Sequence, residues 1–176
     1  YGLDLGADKK FGNYTLSVSY SYINSTVNFS QINQGEPYAK RLVRPHQFKL
    51  QQSLDLKKFG FQLYGIYGAP QPYVDLSLVA DRDRKVISVN ENTRQIPYYF
   101  RLDTDVHYKW SIRGTRFRAG FSILNATNHK NIKYLQYVFN VPVRVPGRPN
   151  QIENKVAGSE VNLLSRTLNV YLIAEF

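Results

Sequence analysis

The sequence predicts an all-β chain that forms a segment of an antiparallel transmembrane β-barrel with about seven strands. Three observations lead to this fold class. Apolar and polar side chains alternate over runs that are longer than an ordinary strand. Short turns, each containing a glycine, alternate with polar connections of about twenty to forty residues, as in outer-membrane barrels. No apolar run is long enough to form a membrane-spanning helix.

The alternation is clearest between Tyr98 and Asn125, which we interpret as two strands joined by a turn around Gly114. Even positions from Phe100 to Trp110 are largely apolar, whereas the odd positions between them are all charged or ionisable. A tilted strand crosses a bilayer in about 9 to 11 residues, so this run is long enough to do so. The aromatic residues Tyr98, Phe100, Tyr108 and Trp110 stand at its two ends, where membrane barrels carry interfacial girdles.

The odd positions of this strand are candidates for a functional site. They are Arg101, Asp103, Asp105, His107 and Lys109. We expect them to line a hydrated lumen in which the charges compensate one another. Alternate residues lie about 6.5 to 7 Å apart along a strand, so direct pairing within the strand is not expected. Because Asp and His also occur together in acid-base sites, an outer-membrane hydrolase that uses Asp103, Asp105 and His107 remains an alternative.

The remaining predicted strands show the same alternation of apolar and polar side chains. Apolar alternation recurs from Tyr1, Tyr14, Phe48, Phe59, Phe117 and Leu168, which gives seven strands in all. The tetrapeptide Lys-Lys-Phe-Gly at positions 9–12 is repeated at 57–60, which predicts two similar hairpins that turn at the same end. The connections 24–46, 69–97 and 126–165 are predicted to be long loops, with strand extensions at Val74–Val79 and Val86–Val89. Since seven strands end at opposite rims, we expect further strands upstream in the same polypeptide.

Composition excludes several functions. The chain has no Cys, which excludes disulfides and thiolate metal sites. Its net charge is +10, but no basic helix or nucleic-acid module is recognisable, so nucleic acid is not an expected partner. The sequence contains no Met and no signal peptide, and we expect it to be a fragment of a longer protein. No cofactor is expected. Oxygen ligands for calcium at Asp81, Asp83, Asn90 and Glu91 are interleaved with Arg82, Arg84 and Lys85, which argues against that site.

Aromatic residues in the long loops are candidate contacts for a ligand or a partner at the outer mouth. These residues are Tyr73, Tyr134, Tyr137 and Phe139. Loops often carry recognition, and aromatic side chains are favoured at binding surfaces. The alternative is that they pack each loop against its neighbours, because exposed aromatic groups normally need cover.

Several of these segments together resemble a known family. They are Arg101, Leu102 and Asp103 with Tyr108, then Gly120, Phe121, Ser122, Ile123 and Asn125, then Asn128–Asn131, and a last alternating strand that ends in Phe176. This pattern resembles the C-terminal end of TonB-dependent outer-membrane receptors, particularly those of the Bacteroidota. The resemblance covers the last 80 residues best, and the motifs are structural rather than catalytic.

The resemblance implies that residues 1–176 form the last third of a barrel of about 22 strands in the outer membrane of a Gram-negative bacterium. Such a receptor imports iron chelates, vitamins or oligosaccharides with energy from the inner membrane and performs no chemistry. Its partners would be outer-membrane lipid, the rest of the barrel and its plug, TonB, and surface lipoproteins. The terminal Phe176 is similar to the signal read by the barrel assembly machinery. A docking barrel in an outer-membrane complex and a soluble β-sandwich lectin remain alternatives.

Overall fold

The computed structural model describes residues 1–28, 30, 37–39, 43–80, 85–145 and 147–176. Within residues 38–39, 72–80, 85–94, 137–145 and 148–157 it describes the backbone alone. Among the described residues, no helix is long and apolar enough to span a membrane.

The described residues form thirteen β-strands and no α-helix. The strands are β1 (Gly2–Phe11), β2 (Tyr14–Ile23), β3 (Thr26–Val27), β4 (Tyr38–Ala39), β5 (His46–Asp55), β6 (Phe59–Gly68), β7 (Gln71–Ala80), β8 (Lys85–Ile96), β9 (Tyr99–Ile112), β10 (Thr115–Leu124), β11 (Ile132–Val145), β12 (Arg148–Asn162) and β13 (Thr167–Glu175). Seven of them form one antiparallel sheet in the order β1-β2-β5-β6-β9-β10-β13. The prediction of an all-β chain with seven antiparallel strands is therefore confirmed. The sheet is open, and β1 and β13 are its edges.

The pairing register gives the sheet two different faces. Residues that lie directly opposite each other on neighbouring strands point to the same side of a sheet. One such row across the sheet is Lys10, Thr15, Ser53, Gln62, Asp105, Ser122 and Asn169, and the next row on the other side is Phe11, Tyr14, Leu54, Phe61, Val106, Phe121 and Val170. We call these sides the polar face and the apolar face. A slip of one residue in any strand would place its charged groups on the apolar face.

The two ends of the sheet differ in their connections. At one end, which we call the short-turn end, β1–β2, β5–β6 and β9–β10 are joined by two or three residues. Gly12 and Gly114 have φ angles of 59° and 87° there, in the region that glycine adopts without strain. At the opposite end, which we call the long-connection end, residues 24–45, 69–98 and 125–166 link the strands. The predicted alternation of short turns and long connections is confirmed, but Gly60, predicted in the second short turn, lies in β6, and the turn itself contains no glycine.

The long connections contain strands of their own. Strands β7 and β8 pair as a hairpin, which agrees with the predicted extensions at Val74–Val79 and Val86–Val89. The prediction of a loop over residues 126–165 is wrong, because β11 and β12 pair as a second hairpin. Its prolines suggested a loop, but a two-stranded hairpin has only edge strands, where proline is tolerated. The register of β11 shifts between Val138 and Val141, beside Pro142.

Arg44 holds the base of the β7–β8 hairpin. Its Nη1 donates hydrogen bonds to the carbonyl oxygens of Ala69 at 2.7 Å and Pro97 at 3.0 Å, which flank the hairpin. The guanidinium lies over the Tyr99 ring, 5.9 Å from its centroid. Burial lowers the pKa of Arg44, and Tyr99 opposes that change. Because the ordinary pKa of arginine is far above neutrality, the group stays charged and keeps the two ends of the hairpin together.

Two buried asparagines hold the base of the β11–β12 hairpin. Asn131 accepts a hydrogen bond from the Phe100 N–H at 2.9 Å and donates one to the Phe100 carbonyl at 2.7 Å, so its amide replaces a strand partner. The Leu163 N–H donates to the Asn131 carbonyl at 2.8 Å. The Asn125 amide group bonds to the backbone of His129 and Leu164. Both ends of the hairpin are thereby tied to the main sheet.

We predict that Asn131→Ala opens the sheet locally at Phe100. Asn131 is 3% exposed, so the variant leaves a buried N–H and a buried carbonyl without partners, at a cost of about 2 to 4 kcal/mol. Amide hydrogen exchange at Phe100, followed by mass spectrometry, should become faster by about 30-fold or more. Asn169→Ala is the matched control, because Asn169 is exposed on β13. Equal exchange at Phe100 in both variants would contradict this role of Asn131.

Candidate functional site on the polar face

The five charged or ionisable residues predicted on β9 do share the polar face, and each has a partner. Arg101 forms a two-pronged contact with Asp103, with Nε to Oδ1 at 2.8 Å and Nη2 to Oδ2 at 2.7 Å. Asp103 Oδ1 also accepts a hydrogen bond from the Asn125 N–H at 2.8 Å. The expectation that alternate residues are too far apart to pair is wrong. Long side chains lean along the strand and close the gap between neighbouring positions.

Asp105, His107 and Tyr171 form a hydrogen-bonded cluster across three strands. Asp105 Oδ1 lies 3.0 Å from Nδ1 of His107, which donates when the proton is on that nitrogen. The Tyr171 hydroxyl donates to both carboxylate oxygens, at 3.1 and 3.0 Å. The register explains the meeting, since Gly120 of β10 lies between His107 of β9 and Tyr171 of β13. The carboxylate is therefore satisfied from two sides.

Two glycines make room for the rings of this cluster. A Cβ on Gly60 would overlap Cε1 and Nε2 of His107, and a Cβ on Gly120 would overlap the Tyr171 ring. Each glycine lies directly opposite the aromatic residue on the neighbouring strand. The two rings thus lie flat against the backbone of the sheet, and the cluster depends on both glycines.

Lys109 is the one of these five β9 residues that lies nearest the short-turn end. Its Nζ lies 2.7 and 2.8 Å from the two carboxylate oxygens of Asp55, at the end of β5. The Lys109 N–H donates to the Lys58 carbonyl at 2.7 Å, which joins β9 to the β5–β6 turn. Asp55 and Lys109 are 68% and 33% exposed, so solvent screens this pair and it adds little to stability.

The arrangement does not favour the hydrolase alternative. Asp103 is engaged by Arg101 and Asn125 rather than by His107. The His107 side chain is only 5% exposed, and Gly60 lies against the Nε2 edge that a substrate would have to reach. A general base must come within hydrogen-bond distance of the proton it removes. The cluster is better suited to holding neighbouring strands in register.

Four shallow cavities lie along the described part of the polar face. Their volumes are about 540, 260, 300 and 310 Å³. The largest is at the short-turn end and is lined by Lys57, Lys58, Lys109, Trp110, Ser111, Arg116, Phe117, Arg118, Ile173 and Glu175. In the described residues, no three His, Asp or Glu side chains are grouped as metal ligands. The calcium candidates Asp81 and Asp83 lie outside the described residues, as do the side chains of Asn90 and Glu91.

Of the four aromatic residues predicted as loop contacts, only Tyr134 has its side chain described. The side chains of Tyr73, Tyr137 and Phe139 lie outside the described part of the structure. Tyr134, on β11, is 41% exposed, and Lys133 Nζ lies 5.8 Å from the centroid of its ring. Tyr134 is therefore accessible for contact with a ligand or partner, and its role stays a prediction.

The aromatic residues predicted to form a girdle fall into two bands, one at each end of the sheet. The long-connection band consists of Tyr1, Tyr20, Tyr22, His46, Tyr67, Tyr98, Phe100 and His129, and the short-turn band of Phe11, Tyr14, Phe59, Tyr108, Trp110 and Phe117. Tyr98 stacks on His129 at 4.7 Å between ring centroids, and Trp110 stacks on Phe117 at 5.4 Å. Phe176 follows β13 and is fully exposed.

The spacing of the bands matches the height of a membrane. Ten residues separate Phe100 from Trp110, which is about 33 Å along an extended strand and about 25 Å at a tilt of about 40°. The apolar band of an outer-membrane barrel is about 25 Å tall. Between the bands, the apolar face carries mainly aliphatic side chains and phenylalanines, and one row also contains Lys9 on the edge strand β1, Gln52 and Thr104.

The sequence did not identify some residues that build these clusters. Tyr171 alternates with apolar residues in the sequence, but its contact with Asp105 depends on the registers of β9 with β10 and of β10 with β13. His46 and His129 belong to the long-connection band, where Tyr20 hydroxyl lies 2.8 Å from His46 Nδ1. Their only signal in the sequence is that each stands near an end of an apolar alternation.

We predict that Gly60→Ala destabilises the sheet by about 1 to 3 kcal/mol, because the added methyl group displaces the buried His107 ring. The midpoint of thermal unfolding of the protein in detergent should fall accordingly. Gly6→Ala is the control, since the nearest atom to its Cβ is the Val18 carbonyl oxygen at 3.9 Å. If both variants melt at the same temperature, His107 is not held as described.

The chain was also compared with known proteins. No protein-family model, curated protein or solved structure matches it. The structural evidence on function therefore consists of the two faces of the sheet and the residues that build them.

Proposed function

We propose that the seven-stranded sheet is part of the wall of a transmembrane β-barrel in the outer membrane of a Gram-negative bacterium. The apolar face meets lipid, and the polar face lines a water-filled lumen. The observation that carries this proposal is the exposure of the apolar face on the inner strands, where Phe48 is 41%, Phe61 41% and Val106 43% exposed. No described element covers these side chains.

Lipid accounts for this face better than water does. Soluble monomers rarely expose continuous apolar surface beyond a few hundred Å², whereas the exposed apolar side chains here run from β1 to β13. The two aromatic bands and the aliphatic zone between them are the pattern of a lipid-facing barrel surface. The short-turn end would then face the periplasm, and the two hairpins at the long-connection end would face the outside.

The sheet has two open edges, which need partner strands in a membrane. Strands β1 and β13 each pair on one side only. Unpaired backbone groups at a sheet edge are not tolerated in lipid, because nothing there replaces the missing hydrogen bonds. The proposal therefore includes further strands that pair with both edges, and the family resemblance assigns them to a barrel of about 22 strands.

Within such a barrel, the resemblance favours a TonB-dependent receptor that imports a substrate such as an iron chelate, a vitamin or an oligosaccharide. The polar face would serve as the conduit wall, and the hairpins would contribute to recognition without chemistry. The alternative is a barrel that docks partner proteins in an outer-membrane complex. The observation that favours the alternative is the size of the hairpins β7–β8 and β11–β12, which contact each other beyond the main sheet.

The lipid-facing assignment predicts opposite outcomes for the same substitution on the two faces. Val106→Arg would place a charge in the middle of the bilayer, at a cost of about 2 to 4 kcal/mol, and should reduce the amount of folded protein in the membrane fraction. Gln62→Arg is the matched control. It lies at the same height on the polar face, opposite Asp105, and should be tolerated. The measurement is the heat-modifiable folded band in purified outer membranes.

Equal amounts of folded protein in both variants would contradict the proposal. Recovery of the native protein from cells without detergent would favour a soluble sheet protein instead.

Transport is tested separately from membrane insertion. We predict that cells expressing the protein take up one member of a panel of iron chelates, vitamins and oligosaccharides, and that a protonophore abolishes this uptake. Energy is expected to be required because receptors of the resembled family draw it from the inner membrane. Uptake that persists in de-energised cells would exclude a TonB-dependent mechanism. A membrane-inserted barrel that takes up nothing but co-purifies stoichiometrically with other proteins would support the docking alternative.

A further inference from the structure

Basic side chains from three separate elements converge on the largest of the four cavities described above. Lys57 and Lys58 come from the β5–β6 turn, Lys109 from β9, and Arg116 and Arg118 from β10. We call these five residues the basic pocket. Pairing of Lys109 with Arg118 places these two side by side, and the hydrogen bond from the Lys109 N–H to the Lys58 carbonyl brings the turn against β9.

The basic pocket carries more positive charge than its acidic neighbours neutralise. Lys109 is held by Asp55, and Arg116 lies 3.4 Å from Glu175. For Lys57, Lys58 and Arg118, the described residues provide no carboxylate partner within ion-pair distance. Cations that line a concave surface without counter-charges create a positive potential, which raises the local concentration of anions.

Arg118 has hydrogen-bonding capacity that the described residues leave unused. Its Nε is the one buried side-chain nitrogen or oxygen, among the described residues, that lacks a hydrogen-bond partner. Buried donors are normally paired, because leaving one unpaired after it has lost water is unfavourable. The Tyr171 hydroxyl donates to Asp105 and makes no hydrogen bond with Arg118 Nε. Arg118 lines the basic pocket, so a ligand there lies close to the unpaired donor.

Phosphate groups match this combination of donors. An arginine fork binds phosphate through two parallel hydrogen bonds, and lysines add point charges around it. The cavity volume of about 540 Å³ is that of a small-molecule site rather than of a groove for an extended peptide. We propose that the basic pocket binds a small polyanion that carries phosphate groups. The proposal does not depend on whether the sheet lies in a membrane, and it adds a binding site to the proposed barrel.

The test uses pyrophosphate as the probe, with isothermal titration of the purified full chain in detergent at low ionic strength. We expect saturable binding that is weakened about tenfold by Arg118→Gln and by the double variant Lys57→Gln/Lys58→Gln. The control is Lys9→Gln/Lys10→Gln, because the same tetrapeptide Lys-Lys-Phe-Gly occurs at 9–12, away from Arg116 and Arg118. Binding by the control should stay within about twofold of the unmodified protein.

Each other outcome overturns the proposal. Absence of saturable binding, or equal weakening by the control, shows that no site exists at the basic pocket. Citrate binding as tight as pyrophosphate shows that charge alone is recognised. An octaglutamate peptide that binds more tightly and displaces pyrophosphate assigns the pocket to an acidic protein segment. If Arg118→Gln fails to fold, the lysine double variant decides, because Lys57 and Lys58 are exposed in a turn.

Discussion

The strict alternation of side chains, kept in register across seven strands, is the constraint on which the rest of the structure depends. Since a strand shows its side chains alternately to opposite sides, one misaligned pairing would transfer a whole row of charges to the apolar face. The polar clusters oppose that error. Asp105 accepts hydrogen bonds from His107 on its own strand and from Tyr171, two strands away, and the contact with Tyr171 does not survive a slip of one residue. Register is therefore specified by the pairing of polar groups as well as by the segregation of apolar groups to one face.

The two faces use different means to hold the sheet together. On the apolar face, rings stack on rings near the ends of the strands, as Trp110 does on Phe117, and such pairs favour a defined height on the sheet. On the polar face, glycines allow His107 and Tyr171 to lie against the backbone, which shields the hydrogen bonds to Asp105 from water. The cavities lie on the polar face, and the basic pocket lies where that face meets the short turns.

Much of this fold was predictable from the sequence, because a period of two depends on local geometry alone. The seven strands, the short turns at one end and the polar row on β9 all follow from it. The partners of that row did not follow. Which strand lies beside β9, and at what offset, is decided by residues far apart in the chain, so the meeting of Asp105 with Tyr171 and of Lys109 with Asp55 could not be inferred. The β11–β12 hairpin was missed because its prolines mimic a loop, and the basic pocket because its lysines stand fifty residues before Lys109.

The residues that close the bases of the two hairpins affect which parts of the sequence can vary. Arg44 bonds to both Ala69 and Pro97, and Asn131 bonds to Phe100 and to Leu163, which follows β12. Each hairpin is therefore closed by hydrogen bonds where it leaves the main sheet. The strands of the main sheet therefore keep their pairing regardless of the length or sequence of the hairpins. The hairpins are therefore interchangeable modules, which mutation can lengthen, shorten or replace while the sheet beneath them is preserved. The sequence at that end of the sheet is free to diversify at little cost in stability.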